Sequence, residues 1–176
     1  MSHLNGSYTI DPVHSTVGFT VRHAMVTKVH GAFNDFESTF SVNDSAVEGS
    51  ASIKAASVDT ANEQRDEHVK SADFFDVENH PELTFTITSA EVGDGSEGTV
   101  TGDLTIKGVT KPVTLDVEVL GVQEDQNGDN RLGFEASTKI NRKDFGIDFQ
   151  APLNGGGMLV GEKIDIVIEG SAIKNS

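Results

Sequence analysis

The residues of this chain that could do chemistry are few, and their spacing is unlike that of an active site. The chain has no cysteine, which excludes a thiol nucleophile, an iron–sulfur cluster, a cysteine-based zinc site and a disulfide framework. His14 and Ser15 are adjacent, but neighbouring residues of a strand point to opposite faces, and no Gly-x-Ser-x-Gly elbow is present. The pair therefore predicts no nucleophilic catalysis.

Six histidines could ligate a metal ion, but none lies two or four residues from another. Those are the spacings that bring two rings onto one surface of a strand or a helix. We therefore expect hydrogen-bonded or exposed histidines and no metal or other cofactor, with a site assembled from distant strands as the alternative. The six are His3, His14, His23, His30, His68 and His80.

Two segments have part of a ligand-binding loop. Residues 156–161 have the glycine spacing of a phosphate loop, but Glu162 stands where that loop needs a lysine. Residues 125–129 imitate the first ligands of a calcium loop, but Asn130 and Ala136 replace its glycine and its glutamate. Neither segment predicts a site, and we interpret the second as the tip of a hairpin.

The charge of the chain restricts its partners. It has 176 residues, with 28 acidic and 13 basic side chains and a net charge of −15. Such an acidic surface repels a phosphate backbone, so we expect no nucleic-acid partner. No apolar run is long enough for a transmembrane segment, and the absence of a Lys/Arg cluster argues against stable binding to an anionic membrane.

Residues 1–7 contain neither a basic stretch nor an apolar run, so they predict no secretion signal and a cytoplasmic protein. We interpret them as an N-terminal extension. The rest of the chain, 8–176, has a length typical of one domain.

The chain is rich in Val, Ile and Thr, the β-branched residues that suit strands. Apolar and polar residues alternate in eight segments, and opposite parity of Phe33 and Phe36 predicts a bulge in the second. Thr60 and Glu63 form a Thr-x-x-Glu capping box, which predicts a helix over 64–71. The eight predicted strands cover 13–21, 29–42, 47–58, 83–91, 99–107, 112–122, 130–141 and 162–173.

Eight sequential strands joined by short turns predict antiparallel pairing, either in an up-and-down barrel or in a sandwich. Glycines within strands favour the barrel, because they permit tight coiling. The predicted fold is therefore all-β: an eight-stranded antiparallel up-and-down barrel with a short helical insertion between strands three and four. The strand glycines are Gly18, Gly49, Gly102, Gly121 and Gly133.

A polar group on the predicted helix has two interpretations. It either docks the helix on the barrel through salt bridges and caps, or it positions a ligand head group where the helix closes one end. The group consists of Arg65, Asp66, His68 and Asp73.

The aromatic composition suits an apolar interior. Ten phenylalanines, one tyrosine and no tryptophan leave nearly every aromatic ring without a polar group. Such rings either pack a solid core or line a slot that recognises a ligand by shape and burial, worth roughly 25 cal/mol per Å² removed from water. Composition alone leaves both open.

As an ordered set, several stretches resemble the YceI family, and the resemblance spans nearly all of residues 8–173. They are 8–15 (YTIDPVHS) with Phe19, Val21 and His23, 31–36 (GAFNDF), 57–60 (SVDT), 65–76 (RDEHVKSADFFD), 102–113 (GDLTIKGVTKPV) and 140–146 (INRKDFG).

The resemblance implies an extended barrel, similar to lipocalins, whose long apolar cavity accommodates a polyisoprenoid or a similar lipid tail. It also implies a homodimer, and a role in isoprenoid-quinone handling, transport, storage or stress response. Many members of the family are periplasmic, whereas residues 1–7 predict no leader, so we expect a cytoplasmic protein.

We therefore expect a non-catalytic carrier of a polyisoprenoid or similar long-chain amphiphilic lipid, held by apolar walls with its polar end near the mouth. The expected wall residues are Val17, Phe19, Val21, Phe33, Phe36, Phe40, Phe85, Ile87, Leu104, Leu115, Phe134 and Ile140. The residues expected to gate the entrance are Phe74, Phe75, Phe149 and Met158.

Two alternatives remain. An enzyme acting on an isoprenoid or quinone head group would need polar groups to converge at the mouth, among His14, His23, Arg65 and Asp66. A barrel packed solid by its phenylalanines would serve as an interaction module without a lipid ligand.

Overall fold

The runs of alternating apolar and polar residues form strands, three of which are interrupted. The computed structural model describes residues 2–92, 95–151 and 160–175. The strands of these residues are β1 (Gly6–Ile10), β2 (Thr16–His23), β3 (Thr27–Phe33), β4 (Phe36–Asn43), β5 (Ala46–Lys54), β6 (Val58–Asp59), β7 (Glu82–Val92), β8 (Glu97–Ile106), β9 (Val109–Glu124), β10 (Asn130–Asn141) and β11 (Val160–Lys174). One α-helix of the same residues, α1 (Glu63–Lys70), lies between β6 and β7.

These segments form one closed antiparallel sheet. β1 pairs with β4 on one side and with β11 on the other, which closes a ring through β5, β7, β8, β9 and β10. β2 pairs with β11 and β3, and β6 pairs with β3, so β1–β2, β3–β4 and β5–β6 each act as one interrupted strand. The ring therefore has eight strands. The predicted eight-stranded antiparallel barrel is confirmed, and the sandwich alternative is wrong.

The first two strands of the ring separate midway along their length. β2 pairs with β3 and β1 pairs with β4, but residues 10–16 lie opposite 34–38 with no strand pairing between the two stretches. We call these two stretches the seam. The break within the second strand reverses its parity, so that Phe33 and Phe36 both line the interior, as the predicted bulge requires.

Apolar side chains close the barrel at both ends. At the α1 end, the helix side of the barrel, the buried core consists of Phe33, Ala55, Val58, Leu83, Ile106, Phe145 and Ile147. At the opposite end, which we call the Tyr8 end, it consists of Leu4, Tyr8, Val42, Leu132 and Ala172. The stretch that we interpreted as an N-terminal extension thus contributes Leu4, which is 3% exposed and accepts a hydrogen bond from the Tyr8 hydroxyl.

The start of α1 differs from the prediction. Asn62, rather than Thr60, is the N-cap: its backbone is extended and its side-chain oxygen accepts from the backbone N–H of Arg65. The Thr60 hydroxyl instead donates to the carboxylate of Asp66 at 2.5 Å and accepts from Nε of Arg65, so its oxygen does not cap the helix. α1 consequently begins at Glu63 and is eight residues long.

Candidate functional site

A cavity of about 350 Å³ occupies the interior of the barrel. On β7 its lining extends from Leu83 to Val92, roughly 30 Å of strand at about 3.3 Å per residue. For strands tilted by about 35–45° from the barrel axis, that length corresponds to roughly 20–25 Å of cavity. The volume is near the lower limit of about 300–1,000 Å³ for ligand sites. A cavity so long and of such small volume suits an extended chain better than a compact molecule.

The cavity wall is almost entirely apolar. The few lining residues with polar side chains are Ser15, Glu37, Ser38, Ser50, Thr138 and Arg142. The first three lie in the seam, where the first and second strands of the ring are not paired with each other. Burial of apolar ligand surface, rather than hydrogen bonding, is therefore what this wall can offer.

The structure places fourteen of the sixteen expected site residues on the cavity wall. Phe149 packs outside the lining, against Phe74, and Met158 falls outside the described residues. The fourteen are Val17, Phe19, Val21, Phe33, Phe36, Phe40, Phe74, Phe75, Phe85, Ile87, Leu104, Leu115, Phe134 and Ile140.

Much of the wall was missed by the prediction from phenylalanines. Strand parity could have found further lining residues of β8, β9 and β11, namely Val100, Ile106, Val113, Val117, Val119, Ile164, Ile166 and Ile168. No periodic signal points to Leu4, Ile147 or Arg142, because each lies outside a strand and reaches the cavity through tertiary packing.

The aromatic rings gather near the two ends of the cavity. Near the α1 end, Phe33 lies between Phe19 and Phe75, with ring centroids 5.6 Å away in both directions. Near the Tyr8 end, Phe40 stacks on Tyr8 at 5.1 Å, and Phe134 meets Phe40 edge-on at 6.1 Å. Offset and edge-on contacts of this kind hold rings in fixed positions, so the cavity has rigid walls at these places.

Three glycines make room for phenylalanine rings on the wall. A Cβ atom added at Gly31 would collide with the ring of Phe19, and one added at Gly170 would collide with the ring of Phe134. At Gly102 the added Cβ would lie 2.5 Å from the ring of Phe85. Each ring therefore lies flat over the backbone of a neighbouring strand and leaves the centre of the barrel open.

Aromatic side chains also cover the α1 end, in a cluster that we call the lid. Phe149 contacts Phe74 at 5.3 Å and the His68 ring at 4.9 Å between centroids. His68 lies 5.0 Å from Phe74, and its Nε2 is 2.9 Å from a carboxylate oxygen of Asp73. The lid comes from α1, the loop after it and the loop after β10, none of which is held by strand pairing.

Comparison with known proteins agrees with this geometry. The family model of the YceI-like domain matches residues 8–172. This chain belongs to the YceI-like family. Protein YceI of Escherichia coli O157:H7 is 44% identical over 137 residues, which cover 76% of this chain and 71% of the relative.

Two solved structures share the YceI-like barrel. Burkholderia cenocepacia BcnA has a TM-score of 0.80 at 24% identity and covers 92% of this chain and 98% of its own. A polyisoprenoid binding domain from Saccharophagus degradans, implicated in plant cell wall breakdown, has a TM-score of 0.68 at 14% identity. It covers 95% of this chain and 98% of its own. At these identities the likeness concerns the fold.

Of the two charged residues that line the cavity of this YceI-like barrel, Glu37 is exposed and Arg142 is buried. Arg142 is 3% exposed and donates to three backbone carbonyls, those of Gly161, Ile147 and Val160. Burial lowers the pKa of its guanidinium, while the carboxylates of Glu162 and Asp148 act in the opposite direction. Arg142 therefore ties the loop after β10 to the start of β11.

The polar residues considered for a catalytic mouth do not converge. The His14 side chain is 64% exposed and contacts Asp11, and His23 is exposed on β2. Arg65 donates to the hydroxyl and carbonyl of Thr60, and none of these side chains lines the cavity. The structure thus uses the Arg65–Asp66 group to fix the start of α1.

In the segment that resembles a calcium loop, 125–129, both carboxylate oxygens of Asp125 already have hydrogen-bond partners within the protein. Asp125 accepts from the backbone N–H groups of Asn127 and Asp129, and its other oxygen lies 2.6 Å from Nε of Arg131. The Arg131 guanidinium also lowers the pKa of Asp125.

In residues 2–92, 95–151 and 160–175, no cluster of three His, Asp or Glu is placed to hold a metal ion. No helix of these ranges is long and apolar enough to cross a membrane.

Proposed function

We propose that this protein binds a polyisoprenoid or a similar long-chain amphiphilic lipid in its barrel and carries it without chemical change. The observation that carries the proposal is the long, narrow cavity with an almost wholly apolar wall. A lipid tail would bury itself there at roughly 25 cal/mol per Å² of apolar surface. The structurally similar domain of Saccharophagus degradans, a polyisoprenoid binding domain, supports the same class of ligand.

In this proposal the tail extends toward the Tyr8 end and the polar end lies at the α1 end. Apart from Leu4, which precedes β1, the side chains that close the Tyr8 end lie on the paired strands β1, β4, β10 and β11, so opening this end would disturb the sheet. The lid is made of loops and α1, which can move at lower cost. Thr138 and Arg142, two of the polar lining residues, lie on this side.

Two observations disfavour the alternatives. A volume of about 350 Å³ is more than a solid core leaves, which argues against a packed interaction module. The dispersed positions of His14, His23, Arg65 and Asp66 argue against an enzyme that uses them on a head group. The homodimer, the cytoplasmic location and the absence of a nucleic-acid partner stay predictions.

Native mass spectrometry and organic extraction of protein purified from its own host test the proposal. We expect a bound long-chain lipid that is released on denaturation. Repeated absence of any lipid, together with failure to take up an added polyisoprenoid, would contradict it.

Adjacent residues of β10 offer a matched pair of variants. Ala136 is buried and lines the cavity, so Ala136→Phe should block it and abolish loading. Ser137 is exposed on the outer face, so Ser137→Phe should load as the unaltered protein does. Ala51→Phe on the opposite wall gives a second block if the first variant fails to fold.

A further inference from the structure

The hairpin of β2 and β3 lies in the longest stretch of the chain without an acidic residue. The chain contains 28 acidic residues, yet none lies in residues 12–34, which span the whole hairpin. The same stretch holds Arg22, Lys28 and three histidines. Although the protein has a net charge of −15, this basic segment could attract an anionic partner locally.

The two basic residues of this hairpin face each other. Arg22 and Lys28 are direct register partners on β2 and β3, and both are exposed. Neither forms a salt bridge with a residue that the structure describes. Like charges directly opposite on neighbouring strands destabilise the pair, so the arrangement favours an anionic partner that neutralises both.

The tip of the hairpin is apolar and exposed. Met25 is 53% exposed and Val26 is 81% exposed, so two consecutive large apolar side chains face solvent at the tip. Ala24 and Met25 have φ angles of 52° and 69°, the left-handed conformation of a tight hairpin turn. Residues with a Cβ rarely adopt it, so the turn holds these side chains outward at some conformational cost.

An anionic bilayer is the partner that fits both features. Its phosphates would neutralise Arg22 and Lys28, and its acyl boundary would receive Met25 and Val26. A nucleic acid offers phosphates but no apolar layer. The position fits as well, because His23 pairs with Val160 at the α1 end, where the lid covers the cavity.

We propose that the tip of the β2–β3 hairpin docks the α1 end of the barrel on an anionic membrane surface. Lipid would then pass between bilayer and cavity without crossing water, a use that rests on the proposed function. The acidic hairpin 125–129 lies at the opposite end, where β10 begins. α1 and the loop after it also carry acidic residues, so the attraction of the α1 end to the membrane is confined to the tip of the β2–β3 hairpin. Two cations and two apolar side chains give weak, reversible attachment, in keeping with the expectation that the chain does not bind membranes stably.

Vesicle co-sedimentation of the full chain tests the docking. We expect binding to vesicles that contain phosphatidylglycerol, weakening with salt, and little binding to phosphatidylcholine alone. Arg22→Glu with Lys28→Glu should weaken binding by about thirtyfold or more, and Met25→Asp with Val26→Asp should also release the protein. Equal binding to both vesicles, no binding, or unchanged binding of both double variants would overturn the proposal.

Matched controls show whether the effect is specific to the tip or follows from changing any exposed apolar residue or any basic residue. Leu120 is 62% exposed on β9, so Leu120→Asp should bind vesicles normally, as should Lys174→Glu at the Tyr8 end. Sedimentation velocity reports the rival outcome: loss of a dimer in the tip variants without loss of vesicle binding would make the tip an interface between copies.

A loading assay distinguishes this docking from the proposed function. With a polyisoprenoid dispersed in detergent and native mass spectrometry as readout, the tip variants should load fully, because their cavity is intact. Uptake from phosphatidylglycerol vesicles should slow in the same variants. If the unaltered protein binds vesicles but takes up no polyisoprenoid, the docking proposal is supported and the proposed carrier function is contradicted.

Discussion

The ring of Phe19 on β2 lies over the backbone of Gly31, its register partner on β3. The pair sets the width of the cavity at this point, because a side chain on residue 31 would occupy the place of the ring. Gly31 therefore acts on the lumen through Phe19, although it contributes no side chain of its own.

Gly31→Ala should narrow the cavity. The added Cβ would push the Phe19 ring toward the centre of the barrel, which we expect to cost about 1–3 kcal/mol of unfolding free energy and to reduce polyisoprenoid loading. Urea unfolding and native mass spectrometry measure the two effects.

The double variant Gly31→Ala with Phe19→Leu should regain much of the lost loading, because the smaller side chain leaves room for the new methyl group. Gly18→Ala is the control, since its Cβ would have neighbours no nearer than 3.6 Å. If Gly31→Ala and Gly18→Ala behave alike, the ring of Phe19 does not limit the lumen.

The fold could be predicted because strand parity and turns are local signals. Alternation around Phe19 or Phe85 shows which residues share a face, and short turns require antiparallel neighbours. The N-cap of α1 could not be chosen in the same way. Thr60 has the right type and spacing, but its hydroxyl oxygen accepts from Nε of Arg65, and only the folded backbone makes Asn62 the acceptor for the first turn.

The cavity was predictable where it is built from strands and unpredictable elsewhere. Phenylalanines at inward parity line the wall, but the glycines beneath them, such as Gly170 under Phe134, carry no periodic signal. Arg142 resembles any surface arginine in the sequence. Its burial depends on the carbonyls of Ile147, Val160 and Gly161, which the loop after β10 brings around it.

Arg142→Met should destabilise the protein strongly. It would remove the side-chain donor of the Ile147 and Gly161 carbonyls, whereas the Val160 carbonyl keeps the side-chain amide of Gln150. We expect a cost of about 3 kcal/mol, which corresponds to a fall in Tm of about 10 °C for a chain of this size. Lys143→Met is the neighbouring control. Lys143 pairs with Glu162 at 2.8 Å where both are about half exposed, so its loss should change Tm far less. Similar Tm values for the two variants would contradict the anchoring role of Arg142.

Asp11 should make stability depend on pH in the acid range. The Arg131 guanidinium, 2.8 Å away, and then His14 lower the pKa of this carboxyl to about 2, from an ordinary 3.8. A lowered pKa stabilises the fold above about pH 4, and this contribution, on the order of 1 kcal/mol, is lost as the pH falls toward 2. Asp11→Asn should therefore be less stable than the unaltered protein near neutral pH and equally stable near pH 2, by urea unfolding. A constant difference across that range would contradict the linkage.

Phe149 should control how fast lipid leaves, without controlling how much is held. It packs on Phe74 and His68 but does not line the cavity. Phe149→Ala removes two aromatic contacts worth about 0.5–1.5 kcal/mol each, so exchange of a fluorescent polyisoprenoid should accelerate roughly tenfold at unchanged capacity. Val13→Ala, a change at an exposed residue of the seam, should leave the rate unaltered if lipid uses the lid.

The seam is the rival route: since the chain has no cysteine, Ser38→Cys can be labelled alone with a bulky maleimide. Exchange that slows with this label and ignores Phe149→Ala would place the entrance at the seam, between residues that no strand pairing holds together.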